Sequence, residues 1–274
     1  MRLYIWQCLL LFNWTSVVLS KVYKFPINTK TAINKRQWTR STHDDLGGWL
    51  VRIVNGNGHF ACCGAYIAPL LVVTSANCIE PYRNNLADAS AEGIAMLDGE
   101  DNFSFIETVY IPDQFKVTKN LMDIAVIRLR RPIKGKLTEF IKLCEQDIND
   151  SMMMTSFGWG YSSFSIQAPS LDPRNSTVPV QDINMCKQKF SKYRRVTISK
   201  SVFCVTHPTD RRQCLYDPGC PLVWNNQLCG IVSIDSTCVD PSKPGVYTNI
   251  NQVKEFIEKI DEEVRGSRRS DSID

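Results

Sequence analysis

The residues best suited to chemistry in this sequence are its cysteines and histidines, because thiolates and imidazoles serve as nucleophiles, bases and metal ligands. There are eleven cysteines but only three histidines, His43, His59 and His207, and these stand far apart. No Cys-x-x-Cys pair accompanies them. We therefore predict no metal site and no cofactor. Cys220 is a candidate thiol nucleophile, provided that it is unpaired and lies within hydrogen-bond reach of a base.

The first twenty residues have the features of a secretory leader. Met1 and Arg2 precede an apolar run from Leu3 to Leu19, and Ser20 is a small residue at the expected cleavage site. A membrane anchor is the alternative, but polar residues interrupt a run that is already short for crossing a bilayer. We therefore expect residues 1–20 to be removed and the mature chain to be secreted and extracellular, without a membrane partner.

The cysteine count, the glycosylation sequons and the charge further indicate which class of protein this is. Removal of Cys8 with the leader leaves ten cysteines, and an even number in an oxidising compartment favours a full set of disulfides. The sequons at Asn102, Asn149 and Asn175 are candidate glycosylation sites on surface loops. A net charge of +4, from 32 basic and 28 acidic residues, is too balanced to indicate a nucleic-acid partner.

The elements that must position these residues are predicted to be short β-strands. Residues 21–45 are polar and contain a dibasic pair, which is typical of an extension or propeptide. Residues 46–264 contain short apolar runs separated by Gly, Pro, Asn or Asp, which indicates an all-β barrel or sandwich. Helical spacing occurs only in Gln252 to Val264, and the charged segment 265–274 is predicted to be a flexible tail. The apolar runs are Trp49–Val51, Tyr66–Ile67, Leu70–Val73, Ile124–Ile127, Cys229–Val232 and Gly245–Tyr247.

Six landmarks in a fixed order make the sequence similar to the chymotrypsin-like (trypsin-like) serine proteases. They are Trp49–Ile53, the cysteines Cys62 and Cys78, Met122–Val126, Gly158–Gly160, Tyr216–Pro221 and Pro244–Thr248. The resemblance covers residues 47–264. It implies an all-β fold of two six-stranded antiparallel β-barrels followed by a C-terminal helix.

The resemblance also locates the catalytic positions of the family, and two of them carry other residues. Hydrolysis in this fold needs a serine oxygen, an imidazole that takes its proton and a buried carboxylate that orients the imidazole. Here the histidine position holds Asn77, the serine position holds Pro218 and the aspartate position keeps Asp123. Because an amide does not take a proton at neutral pH, the general base is absent. Asp123 is then expected to be a buried acceptor for Asn77 and nearby backbone amides.

The substrate-binding positions of the family are altered as well. Pro218 has no N–H, so one of the two oxyanion-hole donors is lost, and Tyr216 replaces the glycine that supplies the other. The Tyr216 ring is predicted to obstruct the site, the alternative being a ring exposed to solvent. Arg212 stands at the pocket position where trypsin-like members carry aspartate, and Asp235 stands where an open pocket has glycine. These two charges either form a salt bridge across a closed pocket or point to water.

Activation by cleavage, which the family uses, is also predicted to be lost. Asp217 stands at the place of the aspartate that binds the new N-terminus in active relatives. The Ile-Val-Gly-Gly sequence that supplies this terminus is replaced by Lys35–Thr39. Asp217 is therefore expected to stay in a zymogen-like arrangement or to bond to side chains.

The resemblance implies a set of five disulfides. Three match bridges of the family, namely Cys62–Cys78, Cys186–Cys204 and Cys214–Cys238. Cys63 and Cys220 replace glycines in two segments that lie side by side across the active-site cleft of the family. A Cys63–Cys220 bridge that locks the barrels together is expected, with two free buried thiols as the alternative. Cys144 and Cys229 are the pair that remains.

The function that the resemblance implies is binding without catalysis. Inactive relatives, numerous in insects, serve as cofactors or competitors of active proteases in immune cascades, or as components of reproductive and other extracellular fluids. The expected partners are extracellular proteins, among them active serine proteases or their substrates. The competing hypothesis is an unusual hydrolase that uses Cys220 as its nucleophile.

Overall fold

The chain folds into two β-barrels that pack side by side on a shared apolar core. The structure is a computed structural model and describes residues 20–24, 46–55, 60–80, 89–93, 103–116, 121–133, 139–160, 173–192, 197–206, 215, 217–234 and 243–271. All statements below concern these residues. The predicted pair of six-stranded antiparallel barrels is confirmed.

Barrel 1 is closed by six antiparallel strands in the order β6-β5-β2-β3-β4-β7, with β7 returning to β6. A further strand, β1, lies outside this ring and pairs with β6. The strands are β1 Ser20–Lys24, β2 Leu50–Val54, β3 Phe60–Ala68, β4 Leu71–Thr74, β5 Ser90–Gly93, β6 Phe103–Pro112 and β7 Ala125–Leu129. Strands β2, β4 and β7 consist mostly of buried aliphatic residues, as the apolar runs of the sequence predict.

Barrel 2 repeats this plan with six strands in the order β12-β9-β10-β11-β14-β13, closed by β12 against β13. A two-residue strand, β8, adds to β13 in parallel. The strands are β8 Lys142–Leu143, β9 Met153–Gly158, β10 Arg174–Gln181, β11 Val202–Val205, β12 Pro221–Trp224, β13 Gln227–Ile234 and β14 Gly245–Asn249. Trp49, just before β2, meets Phe157 of β9 edge to face at 5.0 Å between ring centroids, so aromatic packing joins the two barrels.

Three helices complete the described part of the chain, α1 Ala76–Ile79, α2 Ile183–Phe190 and α3 Ile250–Asp271. Helical spacing alone missed α2, whose N-terminus is capped by the Asp182 carboxylate through the N–H groups of Asn184 and Met185. The buried side chains of α3 lie on one face, against β13, β14 and β8 of barrel 2 and β7 of barrel 1. No helix in this part of the chain is both long and apolar enough to cross a bilayer.

Two segments contain secondary structure that the sequence did not indicate. The tail predicted to be flexible from residue 265 is helical as far as Asp271, and the exposed ion pair between Arg265 and Asp261, 2.6 Å apart and one turn apart in the helix, adds a small stabilisation. The segment predicted to be a polar extension, residues 21–45, contributes β1 to the sheet of barrel 1. At β1 the pairing with β6 outweighs the polar sequence.

Candidate functional site

The site centres on the carboxylate of Asp123, which lies just before β7 and is 0% exposed. Ser75 Oγ donates to both carboxylate oxygens, at 2.9 and 3.0 Å. Ser233 Oγ donates to Oδ2 at 2.7 Å, and the backbone N–H of Asn77 donates to Oδ1 at 2.8 Å. A buried carboxylate is tolerable only when its oxygens are bonded in this way.

Asn77, in α1, completes this set through its side-chain amide. Asn77 Nδ2 donates to Asp123 Oδ2 at 2.9 Å and to the Ser233 backbone oxygen at 3.5 Å. The amide nitrogen that faces the carboxylate is a donor only and has no lone pair for a proton. The Asn77 amide can therefore hold the carboxylate in place, but its nitrogen does not accept a proton.

The bonds to Asp123 also join the two barrels. Ser75 and Asn77 belong to barrel 1, whereas Ser233 lies on β13 of barrel 2. Thr248, on β14 of barrel 2, donates from Oγ1 to the Asp123 backbone oxygen at 2.8 Å. Sequence reasoning placed Asn77 and backbone amides around Asp123 but missed these three hydroxyls. Ser75 could have been found, since it stands two residues before Asn77 in the same motif.

Burial raises the pKa of Asp123 above its usual range, although hydrogen bonds from Ser233, Asn77 and Ser75 lower it in part. No described cation offsets the burial, because all four donors on the carboxylate are neutral groups. The native state therefore binds the Asp123 proton more tightly than the unfolded chain does, where the pKa of aspartate is about 3.9.

Asp123 is expected to make the fold less stable as the pH rises. A raised native pKa contributes stability that is fully present below the unfolded pKa and is lost as the pH rises through the native pKa. The measurement is the free energy of unfolding by urea, from about pH 4 to about pH 7.5, for the natural chain and for Asp123→Asn. The stability of the natural chain relative to the variant should fall across this range.

Asn is the matched control because it keeps the shape of Asp but does not titrate, and every other carboxylate is common to both proteins. If the stability of the natural chain relative to Asp123→Asn stays constant or rises with pH, the hydrogen-bond donors lower the pKa of Asp123 by as much as burial raises it, or by more. Ser233→Ala removes one hydrogen-bond donor and should therefore raise the native pKa of Asp123 further. The loss of stability should then extend to higher pH.

The turn Asp217–Cys220 lies next to Thr74 and Ser75. Its backbone forms hydrogen bonds within the protein. Pro218 O accepts from Cys63 N at 3.1 Å. The N–H groups of Gly219 and Cys220 donate to Val232 O and Asp217 O, each at 3.0 Å. Gly219 has φ +81°, and a Cβ there would lie 2.2 Å from Thr74 Oγ1. The two amides after Pro218 are therefore committed to carbonyl groups of the protein.

Cys63 of β3 and Cys220, just before β12, form a disulfide with their Cα atoms 4.5 Å apart. The bond agrees with the expected inter-barrel bridge, and it fits only because position 158 is glycine, where a Cβ would lie 2.6 Å from Cys220 Sγ. A disulfide sulfur is not a thiolate nucleophile. The alternative of a hydrolase that uses Cys220 is therefore wrong for this structure.

Asp217 is buried, and its Oδ2 accepts from the backbone N–H of Gly160 at 2.6 Å. The sequence analysis did not predict this hydrogen bond to a backbone amide.

One group of side chains has the composition of a metal site. The side chains of Cys63, Asp217 and Cys220 bring their ligand atoms within 4.8 Å of one another. Because the two sulfurs are bonded to each other, they do not present the pair of thiolates that a metal would need.

Other predicted positions are partly described. Disulfides Cys62–Cys78, Cys144–Cys229 and Cys186–Cys204 are present as expected. Asn149 is exposed in a turn, where its Oδ1 accepts from the N–H of Ser151 at 3.1 Å. Asn175 is exposed as well, but it lies in strand β10, opposite Phe157 of β9, so the prediction of a surface loop is wrong there. The predictions for Arg212, Tyr216, Asp235, Asn102 and the Cys214–Cys238 bridge lie outside the described residues.

Comparisons with known proteins relate the chain to one family. The trypsin family profile matches residues 37–257, so the match begins before the domain start predicted at residue 46. The chain is 34% identical over 219 residues to Seminase of Drosophila melanogaster, covering 80% of this chain and 78% of that protein. It is 28% identical over 202 residues to a trypsin of Saccharopolyspora erythraea, covering 73% and 86%.

Among solved structures, the fold is similar to that of the scabies mite inactivated protease paralogue S-D1. The TM-score is 0.65 over 78% of this chain and 91% of that chain, at 23% sequence identity. At this identity the likeness concerns the fold alone.

Proposed function

Because this chain belongs to the trypsin family of serine proteases, we propose that it is a secreted, non-catalytic member that acts by binding other extracellular proteins. The observation that carries the proposal is the pairing of Asn77 with Asp123. An amide occupies the side of the carboxylate where the mechanism of the family needs an imidazole.

The chemistry that remains is too little for peptide hydrolysis. Pro218 offers neither a hydroxyl nor an N–H at the position of the nucleophile. Loss of one oxyanion-hole donor alone costs about 3 kcal/mol of transition-state stabilisation. Loss of the nucleophile or the base costs on the order of 10⁶ in kcat. These deficits support a role that does not depend on turnover.

What remains is a rigid scaffold whose loops can recognise a partner. The Asp123 cluster and the Cys63–Cys220 disulfide tie the barrels together, so the scaffold is held in one arrangement. A protein of this shape can act as a cofactor or adaptor of an active serine protease, or compete with it for a substrate. The network would be an extracellular one, in immunity or reproduction.

The purified secreted chain is expected to hydrolyse no peptide or ester substrate and to remain unlabelled by a serine-directed phosphonate. The measurements are turnover of fluorogenic peptides and intact mass after incubation with the phosphonate, with an active trypsin treated in parallel as the control. Covalent labelling at any residue of the site, or turnover that purifies with the chain, would contradict the proposal.

The binding role is tested by adding the inactive chain to active trypsin-family proteases from the same secretion. A cofactor should raise kcat/KM for the natural protein substrate, and a competitor should lower it, while cleavage of a short peptide stays unchanged. No effect on any of these proteases, together with no binding to their substrates, would leave only a structural role.

A further inference from the structure

The N-terminal strand β1 occupies one edge of barrel 1. It runs antiparallel to the second half of β6, with Lys21 opposite Ile111, Val22 opposite Tyr110, Tyr23 opposite Val109 and Lys24 opposite Thr108. Ser20, the expected last residue of the leader, faces Pro112. Four of the five pairs therefore remain in a chain that begins at Lys21.

Among the described residues, β5 covers only the first part of this edge, and β1 covers the rest. On that side of β6, β5 pairs only with residues 103–105, whereas β7 pairs with residues 106–110 on the opposite side. Residues 108–110 have partners on both sides, β7 on one and β1 on the other. Without β1, the backbone N–H and C=O groups on the β5 side of residues 108–112 would lose their strand partner.

Side chains support the backbone pairing. Tyr23 is partly buried against the apolar core, and its hydroxyl donates to Glu80 Oε2 at 3.4 Å. Glu80 directly follows α1, the helix that carries Asn77. Lys21 and Lys24 are exposed, and charged side chains on an outer strand discourage pairing with other molecules.

We propose that the edge of β6 formed by Thr108–Pro112 is a strand-binding site whose ligand is the N-terminal segment Lys21–Lys24 of the same chain. The ligand is an extended peptide with an aromatic side chain at its third position, and it rests against the end of α1. The segment therefore remains bound to barrel 1 when the peptide link between β1 and Leu46 is cut. It is a part of the fold, in contrast to a propeptide that is shed.

The test uses the full secreted chain with the recognition sequence of a site-specific protease inserted between residues 25 and 45. After cleavage, the N-terminal fragment is expected to co-elute with the domain in size-exclusion chromatography and to separate from it only in denaturant. Tyr23→Ala should increase the rate of fragment release by about tenfold or more. Val22→Ala, whose native side chain is 46% exposed, is the matched control and should release no faster than the natural sequence.

A second measurement does not depend on cleavage. Amide hydrogen exchange of Thr108–Ile111 in the uncut chain should be slow in the natural protein and in Val22→Ala, and faster in Tyr23→Ala. Release of the natural fragment from a domain that stays folded would overturn the proposal. Equal exchange of these amides in all three proteins would do the same.

Discussion

Replacing Cys63 and Cys220 together by alanine is expected to lower the free energy of unfolding by up to about 5 kcal/mol. The bridge closes a loop with a sequence separation of 157, and in the chain-entropy model a longer loop restricts the unfolded chain more. It also joins β3 of barrel 1 to the start of β12 in barrel 2. The measurement is urea unfolding without reductant.

The matched control is the double change Cys186→Ala and Cys204→Ala, which removes a bridge within barrel 2. Its sequence separation is 18, so the same model gives a cost of about 3 kcal/mol. The first change should also allow the barrels to unfold in separate transitions, and the control should not. Equal costs and a single transition in both variants would show that the bridge does not lock the barrels.

The double variant Asn77→His with Pro218→Ser is expected to remain without useful proteolytic activity, with kcat/KM at least about 10⁴-fold below that of an active trypsin. The changes restore an imidazole beside Asp123, a hydroxyl and one N–H. They leave the amides of Gly219 and Cys220 bound to carbonyls and the Cys63–Cys220 disulfide in place. The measurements are turnover of fluorogenic peptides and covalent labelling by a serine-directed phosphonate, detected by intact mass.

The control adds Cys63→Gly and Cys220→Gly, the residues that the family has at these positions. Activity that appears only in this fourfold variant would assign the obstruction to the disulfide. If all variants stay inactive, the remaining obstruction lies elsewhere, at Tyr216, Arg212 or the absent new N-terminus. Robust turnover by the double variant alone would show that the secondary changes matter little.

The short strands could be predicted from apolar runs, whereas the pair of barrels and the disulfide pairings were implied by the ordered landmarks of the chymotrypsin-like family. Leu71–Thr74 and Ala125–Leu129, for example, lie in apolar runs of the length and composition typical of buried strands, which indicate a barrel or a sandwich. Strand β1 could not be predicted in this way. Lys21–Lys24 has too few apolar residues to indicate a strand, and it becomes one only because β6 offers an open edge.

The polar contacts around Asp123 and Asp217 could likewise not be predicted from local sequence. The motif around Asn77 indicated that Asp123 would be a buried acceptor, but Ser233 and Thr248 are distant in sequence and reach it only through the packing of barrel 2 on barrel 1. Similarly, the bond from Gly160 N to Asp217 depends on how the turn after β9 meets the turn before β12. Such contacts between barrels have no local signal.

The order in which the cysteines are synthesised allows a non-native disulfide to form first. Cys62, Cys63 and Cys78 are made early, whereas Cys220, the native partner of Cys63, follows much later. During that interval the adjacent thiols of Cys62 and Cys63 compete for Cys78, and oxidation of the wrong one leaves a bond that must be exchanged. The yield of native protein should therefore depend on a disulfide isomerase, which the secretory pathway would supply to the secreted protein proposed above, and recombinant production without one should give a mixture of isomers.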